Sequence, residues 1–160
     1  MIFVVLGTQK FQMNRLLKEI DALVVSKQIE EEVFAQIGNS DYLPQNYGYE
    51  RFLSPNVFAE KIAECRILIA HSGVGTIMAG IKLKKPTIVY PRLEKYGEHV
   101  DDHQCEIAEA FSQQNYVLYC REQDSLVDLI QKCELHQFSD YISHKEDIIS
   151  RIDDFIKSIF

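Results

Sequence analysis

The chain has 160 residues, 46% of them hydrophobic, and a formal net charge of −7. That is enough for one buried core, and no basic cluster stands out that could neutralise nucleic-acid phosphates or dock on anionic lipid. The four cysteines, Cys65, Cys105, Cys120 and Cys133, form no Cys-x-x-Cys pair and read as reduced core thiols of a cytosolic protein; the sequence shows neither a signal-peptide pattern nor the roughly twenty apolar residues of a membrane span.

Ile2 to Leu6 predicts a buried strand, with Gly7-Thr8-Gln9-Lys10 as the loop at its carboxyl end. Leu16, Leu17, Ile20, Leu23 and Val24 mark a helix by their spacing. Val33 to Ile37 predicts a second strand, broken at Gly38-Asn39-Ser40-Asp41. Tyr42 to Tyr49 is a loop whose aromatics pack on the surface or on a partner, and Tyr49 to Leu53 predicts a third strand. Ser54-Pro55 opens a helix, serine as cap and proline in the first turn, with Phe58, Ile62 and Cys65 on one face.

Ile67 to Ala70 is a short apolar run, His71-Ser72 turns the chain, and Gly73-Val74-Gly75-Thr76 leads into a helix reaching about Leu83. Lys85-Pro86 stops it, and Thr87 to Tyr90 forms the next strand, ended by Pro91. A helix from about Asp102 to Gln114 has Ile107, Ala108 and Phe111 inside. Tyr116 to Tyr119 is the last strand, and Asp124 caps a helix carrying Leu126, Val127, Ile130 and Cys133. Residues 144–160 place Ile148, Ile149, Ile152, Phe155, Ile156, Ile159 and Phe160 in one apolar stripe, an amphipathic helix that packs on its own sheet or on a partner. The expected fold is α/β: a doubly wound, mainly parallel sheet of about six strands in one domain over 1–160.

Two loops carry the chemistry. Gly73 and Gly75 leave backbone N–H groups bare at the positive end of a helix, and Ser72 and Thr76 add hydroxyls, which suits an anion such as a diphosphate. The same small-residue turn also serves plain strand-to-helix packing. A third glycine is missing where Met78 stands, and no Gly-Lys-Ser/Thr follows, which excludes the dinucleotide fingerprint and the Walker loop. The second loop, Gly97 to Gln104, packs Glu98, His99, Asp101, Asp102, His103 and Gln104 together. Carboxylates and amides read sugar hydroxyls directionally; Asp101 or Asp102 also suits a helix cap. His99 and His103 have helical spacing, but no third metal ligand is in view.

HSGVGTIMAGIKLKKPTIVYPR at 71–92, followed by GEHVDDHQ at 97–104, resembles the carboxyl-terminal, donor-binding domain of family 28 GT-B glycosyltransferases. It is most similar to the split forms: bacterial exopolysaccharide and capsule transferases, and the catalytic subunit of the eukaryotic two-subunit enzyme adding the second GlcNAc to dolichol diphosphate. The resemblance runs from Met1 to about Tyr119. It implies a Rossmann-like half of a GT-B fold, with donor contacts from Gly7, Thr8, Gln9, His71, Ser72, Gly73, Gly75, Thr76, Arg92, Glu98, Asp101, Asp102, His103 and Gln104. The implied reaction is inverting transfer of a hexose from a UDP-sugar to a polyprenyl-diphosphate-linked acceptor, without cofactor or metal. His99 or a residue of the partner serves as general base. The implied partner is a membrane-attached, acceptor-binding subunit, or a second copy, reached through the carboxyl-terminal helix; this places the chain in the cytoplasm, peripheral at the inner membrane face. A non-catalytic UDP-sugar-binding helper subunit is the alternative, and a sugar-nucleotide epimerase is set aside because it needs both domains in one chain. At Ala79 many members carry an acidic residue contacting the ribose, so that contact does not carry over.

Overall fold

The computed structural model describes residues 1–143 together with Ile149, Asp154 and Lys157. Runs rich in β-branched and aromatic residues form the strands β1 (Ile2–Val5), β2 (Val33–Gln36), β3 (Gly48–Glu50), β4 (Ile67–Ala70), β5 (Thr87–Val89) and β6 (Leu118–Tyr119). All pair in parallel in the order β3-β2-β1-β4-β5-β6. Parallel neighbours need crossovers, and α1 (Asn14–Val25), α2 (Pro55–Glu64), α3 (Val74–Lys82), α4 (His103–Gln113) and α5 (Leu126–Cys133) punctuate the chain accordingly. The apolar stripe read over 144–160 lies outside the described residues, apart from the three named.

Strand alternation sorts the core onto two faces. Ile2, Val4 and Leu6 of the first strand and its end pack with Leu16, Leu17 and Ile20 of α1 and with Leu126 and Ile130 of α5. Phe3 and Val5 face the opposite way, against Ile62 and Phe58 of α2, while Ile77 and Ile81 of α3 meet Val89 and Ala108. Each fully buried aliphatic side chain contributes roughly 1.5–3 kcal/mol, so β1, with no exposed residue, is the anchor from which the two halves of the sheet extend.

Between β2 and β3 a loop replaces the crossover helix. Asp21 of α1 organises it, accepting from the Tyr42 hydroxyl at 2.6 Å, from the Gln45 and Asn46 amides at 2.9 Å and from Asn46 Nδ2 at 3.0 Å. Burial opposes the charge, yet these bonds hold its carboxyl below the usual range. Tyr42, Tyr47 and Tyr49 pack, partly buried, against this chain's own core.

Two edges differ from expectation. β3 ends at Glu50 because Leu53 N–H turns to the Gln36 side chain, 3.1 Å away, and not to a strand partner. β6 keeps only Leu118 and Tyr119. The α5 cap is Ser125, whose hydroxyl accepts from Asp128 N–H at 3.3 Å; Asp124 instead closes the preceding turn on Arg121 N–H at 2.8 Å.

Candidate functional site

The sheet extends from β1 through β2 to β3 on one side and from β4 through β5 to β6 on the other. The loops leaving β1 and β4 diverge at this switch point, where α/β sheets bind ligands. The crevice there is a cleft of about 480 Å³, lined by Gly7, Thr8 and Gln9 after β1, by His71, Gly73, Gly75 and Thr76 after β4, and by Gln36, Leu53, Pro55 and Phe58 on the α2 side.

His71 sits between the two loops. Its ring is buried, and Nδ1 lies 3.2 Å from the Val5 carbonyl oxygen. A carbonyl can only accept, so Nδ1 carries the proton and Nε2 keeps its lone pair. Burial, then Arg92 and His99, push its pKa down to about 4, and the imidazole is neutral at physiological pH. The glycines make room for it. A Cβ on Gly7, where φ is +73°, would stand 2.6 Å from Nε2, and one on Gly73 only 2.3 Å away.

The first turn of α3 is open. Gly73 N–H turns back to the His71 carbonyl at 2.7 Å, and the first helical bond runs from Ile77 N–H to Gly73 O at 3.1 Å. The N–H groups of Val74, Gly75 and Thr76 meet no acceptor among the described residues, and neither a side-chain cap nor an acidic residue stands in that turn. These are the orphan donors of a helix terminus, with the positive end of its dipole behind them. A Cβ at Gly75 would meet nothing within 4 Å. Internal packing makes no use of that glycine; the space beside it belongs to the cleft.

The second loop behaves differently from the sequence expectation. Arg92 is 1% exposed and points inward. Nη1 donates to the carbonyls of Phe11, Gln12 and Glu98 at 3.0, 2.9 and 3.2 Å, and Nη2 to that of Leu6 at 2.6 Å. Burial draws its pKa down against the opposing pull of Glu98. Glu98 is completely buried and gives both oxygens to Arg15, at 3.2 and 2.9 Å, and one also to Leu93 N–H at 3.0 Å. Gln104 Oε1 accepts from Ser72 N–H at 3.3 Å and from Arg92 N–H at 3.1 Å, tying the two loops together. Ser72 Oγ and Arg92 Nε are buried without a partner among the described residues.

The rest of that loop turns outward. Asp101 Oδ1 accepts from His103 N–H at 3.1 Å and lies 3.0 Å from His99 Nδ1. These contacts, His103 N–H first, hold its carboxyl below the usual range. Asp102 occupies the cap position of α4, but its carboxylate takes Glu94 N–H at 2.8 Å. His103 pairs with Glu106 at 3.1 Å. His99 rests on Phe11, ring centroids 5.2 Å apart, near enough to His71 to depress its pKa.

Residues 1–159 match the Glycosyltransferase family 28 C-terminal domain. The chain belongs to that family. Among solved structures it is similar to MurG of Acinetobacter baumannii, with TM-score 0.53 and 16% identity over 82% of this chain and 40% of that one. The glycosyltransferase SnogD from Streptomyces nogalater gives TM-score 0.53 and 14% identity over 84% and 38%. The kitacinnamycin glycotransferase gives 0.58 and 14% over 83% and 34%. At these identities the likeness is one of fold, the Rossmann-like half of a GT-B glycosyltransferase. The family 28 domain spans well under half the length of each of these chains. No curated protein matches it.

Of the residues expected in the site, Gly7, Thr8, Gln9, His71, Gly73, Gly75 and Thr76 share one cleft in this family 28 domain; His99 is not part of its lining. Ser72, Arg92, Glu98 and Gln104 lie behind it as a buried frame. Asp101, Asp102 and His103 are on the outer side of their loop. Sequence reasoning passed over Arg15, Gln36, Leu53 and Phe58. Gln36 carried a signal, a polar residue at the end of an apolar strand; Arg15 carried none, being one cation on an amphipathic helix. Among the described residues no group of three or more His, Cys, Asp or Glu side chains is placed to hold a metal, and no helix is long and apolar enough to cross a membrane.

Proposed function

We propose that this family 28 domain is the donor-binding part of an inverting glycosyltransferase. It binds a UDP-sugar and transfers the hexose (galactose, glucose or GlcNAc) to a polyprenyl-diphosphate-linked acceptor in exopolysaccharide or capsule synthesis. The observation that carries this reading is the open first turn of α3. The N–H groups of Val74, Gly75 and Thr76 have no acceptor among the described residues, and Gly75, with free space beside it, and Thr76 line a cleft together with the neutral His71, a setting that suits a diphosphate. Leu53, Pro55 and Phe58 offer an apolar surface to the base, and the sugar extends toward His99 and Asp101.

In the proposed reaction an acceptor hydroxyl attacks the anomeric carbon from the face opposite the diphosphate, inverting it as UDP leaves. The amides of α3 are in place before charge develops on the leaving diphosphate, so they stabilise it without reorganising. His99, oriented by Asp101 through Nδ1, takes the hydroxyl proton on its other nitrogen, provided the partner does not supply the base. The acceptor half comes from a membrane-attached partner subunit or a second copy, with residues 144–160 as the docking segment. The chain then sits at the cytoplasmic membrane face through its partner.

The test is co-expression with candidate acceptor-binding subunits, followed by assay of UDP-hexoses on lipid-linked acceptor. Transfer that needs both chains establishes the reading. UDP binding with no transfer by any pairing makes the domain a donor-binding helper, and absence of UDP binding removes the donor assignment altogether.

A further inference from the structure

One side chain from α1 reaches three points of the loop that follows β5. Arg15 gives its Nε and Nη2 to the two oxygens of Glu98, and Nη2 also donates to the Pro91 carbonyl at 3.0 Å. Its guanidinium lies over the Tyr90 ring at 4.4 Å and the Tyr96 ring at 5.0 Å. The start, middle and end of the segment 90–98 are thus fastened to one planar group. Burial disfavours the Arg15 charge, but the Glu98 bond together with the charges of Tyr90, Glu98 and Tyr96 outweighs this and its pKa is raised. Glu98 has 1% of its side chain exposed, and a carboxylate so placed holds its position only while its charge is matched.

Directly after Glu98 the chain turns outward to His99 and Asp101, whose side chains lie 3.0 Å apart. We propose that Arg15 is a positioning residue for the sugar end of the donor: by clamping Glu98 it fixes the loop that presents His99 and Asp101, with no ligand contact of its own. This rests on the donor-binding reading above. The phosphate end makes no direct bond to the clamp: the α3 amides and the His71–Val5 contact involve neither Arg15 nor Glu98, and the link runs through Arg92 and Gln104. Lysine cannot replace the fork, since one ammonium does not span both carboxylate oxygens and stack on two rings.

The experiment compares wild type, Arg15→Lys, Arg15→Met, Glu98→Gln and the Arg15→Met/Glu98→Gln pair. Each is titrated calorimetrically with UDP, UDP-glucose, UDP-galactose and UDP-GlcNAc, and amide exchange is followed over residues 93–101. In Arg15→Met, UDP affinity stays within about twofold, while the extra affinity of the preferred UDP-hexose over UDP falls about tenfold or more. Exchange over 93–101 quickens while α3 keeps its protection. Arg15→Lys is intermediate, and the double variant is no worse than Arg15→Met. Equal losses for UDP and UDP-hexose, or unchanged exchange in the loop, overturn the proposal. If wild type binds no uridine nucleotide the donor reading falls, and exchange alone decides: loosening confined to 93–101 keeps Arg15 as the loop's clamp, and uniform loosening removes it.

Discussion

Alanine at Gly75 moves stability and ligand binding in opposite directions. Gly75 is the second residue of α3, its φ is not in the left-handed region, and a Cβ there meets nothing within 4 Å. Alanine is favoured over glycine in a helix by about 0.5–1 kcal/mol, chiefly because the unfolded chain loses less entropy. At a helix end the lower figure applies, so Gly75→Ala gains about 0.5 kcal/mol and raises Tm by roughly 1–2 °C. The methyl group enters the space where a diphosphate oxygen approaches bare amides. Losing one charge-assisted hydrogen bond there costs about 1.5–3 kcal/mol, weakening UDP binding by roughly 10- to 100-fold. Thermal melts and calorimetric titration with UDP read both quantities on one preparation. Unchanged UDP affinity with a raised Tm puts the diphosphate elsewhere and refutes the site. Gly73→Ala is the control: its Cβ stands 2.3 Å from His71 Nε2, must displace the imidazole, and lowers stability and binding together.

Three further outcomes follow from the buried His71 and Arg92 and from the outward-turned His99–Asp101 pair. His71 has its pKa lowered to about 4 in the fold against about 6.5 unfolded, so between these values the unfolded chain binds more protons and stability rises with pH. The stability held at pH 7 is lost as pH falls through that window, by about 3 kcal/mol; urea unfolding at pH 7, 5.5 and 4.5 should show the slope in wild type and a flatter one in His71→Asn, and equal slopes refute the assignment. Arg92→Lys strips carbonyls at Leu6, Phe11 and Gln12 of their donor and should cost about 3 kcal/mol in denaturant unfolding; a loss below about 1 kcal/mol would mean the frame is dispensable. In a reconstituted transfer assay His99→Ala should lower kcat by about 10²–10⁴-fold with UDP affinity unchanged, and Asp101→Asn should shift the pH profile of kcat; retained kcat assigns the base to the partner.

The central strand-turn-helix-strand unit was legible because its signals are local. Ile67–Ala70 is the strand read from four apolar residues, and Lys85-Pro86 ends α3 as expected. Edges were less legible because their partners decide them. β3 and β6 each have a neighbour on one side only, and nothing in Tyr49 to Leu53 says that Leu53 N–H will prefer a glutamine side chain from the preceding strand. The short helix at Glu94–Tyr96, closed by Gly97 at φ +66°, was missed although Gly97 is the kind of residue that permits it.

The site divides along the same line. The glycine turn after β4 could be read because its chemistry is backbone chemistry, and a glycine announces in the sequence that a side chain is absent. The loop from Gly97 to Gln104 announces polar groups but not their direction. Glu98 and Asp101 are three residues apart; one carboxylate is sealed against Arg15, 83 positions earlier, and the other bonds its own loop near the surface. The physical rule that separates them is compensation: a carboxylate enters a core only with a cation, as Glu98 does, or with a full set of hydrogen-bond donors, as Asp21 does. A cation on a neighbouring helix is therefore the feature to seek before a motif carboxylate is assigned to a ligand. In this chain that search leads to Arg15, which accounts for Glu98 and leaves His99 and Asp101 as the pair in the loop without a buried partner.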